Sequence, residues 1–140
     1  MKLLTLLSFC VILFTACPKV SDQSTNNLGE TIMVPINQSI QIGGEKINLL
    51  FTNVQEGRCP TGTNCIQAGK AKVSIDFAVG DAVSAITLEA KGLCDDESGK
   101  CGSTTNAQGY TIKLIYLYPY PSVENNEKRD YQAKIMITKK

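Results

Sequence analysis

Residues 71–79, Ala71-Lys72-Val73-Ser74-Ile75-Asp76-Phe77-Ala78-Val79, decide the fold. Ala71, Val73, Ile75, Phe77 and Val79 fall on one side of an extended chain, and Lys72, Ser74 and Asp76 on the other. Alternation with period two over nine residues predicts a strand with one face in a core and one in water. Gly80-Asp81 follows as a tight-turn signal. Residues 82–90 then resume the pattern with Ile86, Leu88 and Ala90 inward, so the two runs predict a hairpin.

The same signal recurs on both sides of this hairpin. Upstream lie 31–36, then Ile40 and Ile42 alternating with Ser39 and Gln41, then Ile47, Leu49 and Phe51 alternating with Lys46 and Asn48. Downstream, Ile112, Leu114, Tyr116 and Tyr118 alternate with Thr111 and Lys113, which puts Tyr110, Tyr116 and Tyr118 on the inward parity. Ile115 and Leu117 make that run apolar on both faces and predict a central strand. Tyr131, Ala133, Ile135 and Ile137 make the last one. Gly43-Gly44 and Pro119-Tyr120-Pro121 read as turn or edge elements. The expected fold is all-β: a single β-sandwich, or partly open barrel, of about seven antiparallel strands over 29–140.

The chain has 140 residues, six of them cysteine. Met1-Lys2 precedes an apolar run over 3–14, too short to span a hydrocarbon core of ~30 Å but suited to a signal peptide. Thr15-Ala16-Cys17 resembles the bacterial lipobox, with Phe14 where leucine is commoner. The resemblance implies a signal peptide over 1–16, cleavage before Cys17 and acylation of its thiol. Cys10 is a poorer acylation site because bulky Phe9 precedes it. The alternative is an ordinary secretory signal cut near Ala16, which would leave Cys17 as a free thiol in an oxidising compartment. Residues 17–28, rich in Ser, Thr and Asn after Cys17, then form a lipidated N-terminus and flexible tether. The expected partner there is the membrane, reached through the anchor, and the expected location is the cell envelope, at the outer membrane.

The domain holds Cys59, Cys65, Cys94 and Cys101, which allow three pairings. The simplest is local, Cys59 with Cys65 and Cys94 with Cys101, each pair bracketing a polar loop. A four-thiolate zinc site usually uses C-x₂-C knuckles, whereas these gaps hold five and six residues. A redox centre would need C-x-x-C.

Arg58-Cys59-Pro60-Thr61-Gly62-Thr63-Asn64-Cys65-Ile66-Gln67-Ala68-Gly69-Lys70-Ala71 resembles a group of small Bacteroidetes-type lipoproteins. In these an "RCP…C…AG" loop joins one strand to the next. The likeness extends loosely to 110–121 and 131–137. It implies a β domain in the envelope and carries no mechanism with it. Many members have tryptophan where Gln67 stands. Physically, Pro60 fixes φ, Gly62 permits the reversal and Gly69 admits close packing where the next strand begins.

Candidate chemistry is sparse. Lys and Arg number 14, Asp and Glu 13, and there is no histidine. Without Lys2 the charges balance, and no like-charge block is long enough to suggest nucleic acid. The missing histidine removes the commonest general base and the commonest zinc ligand. Asp95-Asp96-Glu97 lacks the spacing that wraps calcium and reads as a solvated tip. Asp76 and Glu89 read as outward strand residues. No metal or cofactor is expected. The best contact candidates are Arg58 and Tyr120, both expected to be solvent-accessible. The competing arrangement has Tyr120 capping the core and Arg58 paired with Glu56. The expected function is a non-catalytic binding or interaction module. A structural accessory subunit of an envelope assembly and a protease-inhibitor-like domain are the alternatives, with an enzyme last.

Overall fold

A computed structural model describes residues 26–94, 97–124 and 129–140. The leader, Cys17 and most of the tether therefore lie outside the described residues, as do Asp95 and Asp96. Eight antiparallel strands form two four-stranded sheets. They are β1 (Thr31–Pro35), β2 (Ser39–Ile42), β3 (Ile47–Gln55), β4 (Lys70–Val79), β5 (Ala82–Lys91), β6 (Thr104–Ala107), β7 (Tyr110–Tyr118) and β8 (Gln132–Lys139). One sheet has the order β2-β3-β4-β5 and the other β1-β8-β7-β6. The sandwich expectation holds, with one strand more than the sequence indicated. The added strand is β6, Thr-Thr-Asn-Ala, which has no apolar alternation to reveal it.

The hairpin of 71–79 and 82–90 is present as β4 and β5, with Val79 opposite Ala82. Ala71, Val73, Ile75 and Phe77 are fully buried, and Leu88 and Ala90 pack beside them. Burying a Val, Ile or Phe side chain is worth about 1.5–3 kcal/mol each, so this face pins the register. A slip of one residue would turn Lys72, Ser74 and Asp76 into the core. From the facing sheet, Ile32, Val34, Ile112, Leu114, Leu117, Ile135 and Ile137 close the core.

β7 is interior to its sheet, as its two-sided apolar pattern implied. Its tyrosine parity is different from the expected one. The register to β8 shifts between Leu114 and Tyr116. A bulge sets two residues against one, so the alternation changes phase there. Tyr110, Ile112 and Leu114 face the core before it, and Leu117 after it. Tyr116, though buried, and the half-buried Tyr118 lie outside the main core cluster and pack against each other with tilted rings, centroids 4.6 Å apart.

The two ends of the sandwich differ. One end carries the Gly80-Asp81 turn, the 43–46 turn and the Gln108-Gly109 turn. The described part of the chain begins here, at the entry end, with Asn26 bridged to Ile42 and its carbonyl accepting from the Gly43 N–H. Gly29 and Leu28 are already engaged, through the Ile137 carbonyl and the core respectively. The other end carries the long 56–69 and 92–103 connections and the exit of β7.

Candidate functional site

Both disulfides sit in the connections of this second end. Cys59 pairs with Cys65 and Cys94 with Cys101, at Cα separations of 5.9 and 5.6 Å. Where the two connections leave the sheet, their backbones nearly touch. The Gly92 N–H donates to the Gly69 carbonyl at 2.9 Å, and the Cys59 N–H to the Ala68 carbonyl at 2.9 Å. A side chain at Gly69 would collide with the Gly57 carbonyl, and one at Gly92 with that of Ala68. Gly69 also has φ +66°, a backbone region costly for other residues.

Arg58 is buried, at 4 % exposure, so the expectation that it is solvent-accessible is corrected. Its Nε and Nη2 hold the two Glu56 oxygens at 2.9 and 2.6 Å. Its Nη1 donates to the Leu117 carbonyl at 2.9 Å and its Nη2 to that of Pro119 at 3.0 Å. The reason is local. β7 ends at Tyr118, and β6 pairs with it only from Tyr110 to Lys113, so among the described residues no strand lies on that side of Leu117 and Pro119. A guanidinium supplies five donors in a fixed fork and satisfies them together with the carboxylate. Glu56 also accepts from the Arg58 N–H and the Tyr131 hydroxyl. Burial pushes the Glu56 carboxyl up, but these hydrogen bonds and the Arg58 charge outweigh it and hold the group below its ordinary value.

Tyr120 is half-buried. Its ring lies under the Arg58 guanidinium, 4.8 Å from it. Its hydroxyl accepts from the Leu93 N–H at 2.7 Å and donates to the Cys59 carbonyl at 3.1 Å. One phenol thus fastens the two disulfide connections together. Of the two contact candidates, Arg58 is framework. Tyr120 is framework that also presents part of its ring.

Above that ring is an apolar groove of about 300 Å³, lined by Cys59, Pro60, Thr61, Thr63, Leu93, Cys94 and Tyr120. Large apolar side chains stand exposed on the segments around it: Ile66 completely, Leu93 at 68 % and Val123 at 52 %. Val123 is tied to the first loop, its N–H donating to the Thr61 carbonyl at 3.1 Å. Leu93 has φ +51°, a conformation that costs a non-glycine residue about 1 kcal/mol or more. Sequence reading did not select Ile66, Leu93 or Val123. The available signal was a lone aliphatic residue inside an otherwise polar loop.

The acidic loop is not a free tip at Glu97. The Glu97 carboxylate accepts from Lys134 at 2.8 Å and also from the Tyr118 hydroxyl, and both contacts lower its titration. Gly99, also in this loop, lies against Lys113 and Ile115, so the loop covers the outer side of the β7 bulge. Among the described residues no group of three or more Cys, Asp or Glu is placed to hold a metal ion. Glu89 is paired with Lys70 at 2.7 Å. Nor is any described helix long and apolar enough to cross a membrane.

No known protein family matches the chain, and no curated protein or solved structure does either.

Proposed function

We propose that the chain is a non-catalytic binding module, lipid-anchored in the bacterial cell envelope, that meets a protein partner with its disulfide end. The observation that carries the reading is an apolar groove lined by the exposed Leu93, with the exposed Val123 tied to Thr61 of its lining and the exposed Ile66 next in sequence to Cys65 of the same disulfide loop. Exposed apolar side chains on neighbouring segments are a mark of an interaction surface, whereas scattered ones are ordinary. The frame beneath them is stiff: two disulfides, the Arg58–Glu56 pair and the Tyr120 hydroxyl fix the loops before any partner arrives. Pre-organised loops lose less entropy on binding. The absence of histidine argues against hydrolytic chemistry in the same groove.

The test is capture from envelope extracts by the native chain, by Ile66→Asp and Leu93→Asp, and by Met33→Asp away from this end. The expected result is loss of the same partner by the first two variants and retention by the third. Equal capture by all four chains would sink the docking surface. Fixed partner stoichiometry would favour a structural subunit, and protease as the captured partner would favour an inhibitor. The anchor is tested separately: the mature chain should begin at an acylated Cys17, and Cys17→Ala should release it from membranes. An unmodified product starting elsewhere would end that part of the proposal.

A further inference from the structure

Ile66 has no use within the fold. Its side chain is completely exposed, and it follows directly on the cross-linked Cys65. The chain bends at Ile66 and Gln67, outside every strand. Residues 59–69, Cys-Pro-Thr-Gly-Thr-Asn-Cys-Ile-Gln-Ala-Gly, carry no charge. A branched aliphatic side chain held out in water is stabilised only when a pocket closes round it. Both sides of Ile66 are fastened to one residue, Cys59. Upstream, Cys65 is joined to Cys59 by the disulfide. Downstream, the Ala68 carbonyl accepts from the Cys59 N–H at 2.9 Å, and Gly69 bridges to Arg58. Cys59 itself is buried, and its carbonyl accepts from the Tyr120 hydroxyl at 3.1 Å. The Ile66–Gln67 peptide bond joins the two residues that lie between these fastenings.

We propose that Ile66 enters the primary specificity pocket of a serine endopeptidase that takes aliphatic side chains, and that the loop inhibits that enzyme; this rests on the disulfide end being the docking surface. A small apolar pocket is how one class of serine protease selects its substrates. The protease serine oxygen attacks the Ile66 carbonyl carbon. The C–N bond to Gln67 breaks, an ester forms, and the serine proton passes to the Gln67 amine. In a free peptide that amine diffuses away and water takes its place. Here the ester side stays linked to Cys59 through Cys65, and the amine side through Ala68. The amine therefore remains beside the ester and re-forms the peptide bond, as groups held at high effective concentration do. Leu93 in the groove, and Val123 tied to Thr61, add contact area outside the loop.

The full-length chain should inhibit an elastase at equimolar stoichiometry and leave trypsin active. Ile66→Arg should reverse this, inhibiting trypsin and raising the elastase inhibition constant at least about 30-fold. Ile66→Asp should inhibit neither enzyme, and Met33→Asp, on β1, should match the native chain. The double variant Cys59→Ser/Cys65→Ser should turn from inhibitor to substrate, cut between Ile66 and Gln67 with the elastase released. An elastase left active by the native chain would overturn the proposal, as would trypsin left active by Ile66→Arg. So would rapid cleavage of the native chain between residues 66 and 67. Capture of an envelope partner that depends on Ile66 and Leu93, with elastase unaffected, would remove the protease and keep the docking surface. Equal capture by the native chain, Ile66→Asp and Leu93→Asp would remove the surface itself.

Discussion

The two ends of the sandwich solve the same problem with different means. At the entry end the strands are joined by short turns, and one side-chain amide ties two of them together. The Gln108 Nε2 lies 3.2 Å from the Phe77 carbonyl, 3.1 Å from that of Ala82 and 2.9 Å from the Ser84 hydroxyl. Phe77 and Tyr110 pack edge to face beneath it at 5.9 Å. At the far end the connections are long. They are held by two covalent bonds, a buried ion pair and a phenol that bridges both loops. Short turns need little restraint because their closure is entropically cheap. Long polar loops that must hold one shape need cross-links and buried donors. The difference puts the covalent and ionic restraint at the far end.

The largest way to break this contrast is Arg58→Ala. It takes the guanidinium from the half-buried Glu56 carboxylate, which keeps the backbone N–H of residue 58 and the Tyr131 hydroxyl, and from the Leu117 and Pro119 carbonyls. Breaking a fully buried pair costs about 3–5 kcal/mol, and the expected loss is at the lower end of that range. Urea unfolding should show that loss, and a cost under about 1 kcal/mol would mean the far end does not depend on the pair. Next come the double alanine replacements of each disulfide. Loops this short predict about 2 kcal/mol apiece. Losing Cys59–Cys65 should cost more than losing Cys94–Cys101, because the first loop joins two core strands directly; thermal melts decide the order. Gln108→Ala tests the entry end and should cost about 1 kcal/mol, one partly buried network of neutral hydrogen bonds.

A smaller part of the difference is visible with pH. The folded Glu56 carboxyl sits below its ordinary value of 4.5, so its contribution is complete above that value. It is lost as pH falls through the lowered folded value. Urea midpoints should therefore drop on acidification below about pH 4.5, and Glu56→Gln should flatten that fall. Glu97 and Glu89, whose titrations are also lowered, act in the same direction. The smallest effect on stability belongs to Leu93→Gly. Relief at φ +51° offsets the entropy that glycine adds, so the melting temperature should hardly move while partner capture falls. A large destabilisation would make Leu93 a framework residue instead.

How much of this was legible in the sequence depends on the residue. The β4–β5 hairpin was readable because burial on one face imposes period two on the chain. Local disulfide pairing followed from spacing and from polar loops between the cysteines. The bulge at Leu114–Tyr116 was not readable, since an apolar residue on either parity satisfies a strand covered on both sides. Ile115 was the available hint, and it registered only as a sign of a central strand. Arg58 misled for a different reason. An arginine beside a loop cysteine looks exposed until the far carbonyls it serves are known, and Leu117 lies 59 residues away. The same distance hid the groove, which forms only when 59–63, 93–94 and 120 meet.

The place where the chain enters has a mechanical consequence. Asn26 is at one end of the sandwich and the disulfide loops are at the other, about 33 Å apart along the ten residues of β4. A load applied between those points runs along the strands. β1 is the first element to feel it, and β1 runs from the entry end toward the loops, paired with β8 from Thr31 to Pro35. Its ladder to β8 is then pulled in shear, with its bonds loaded together, and does not peel open one bond at a time. The same strand pulled sideways would unzip. A tension gauge on residue 26 would accordingly read a stiff domain along one axis and a soft one across it.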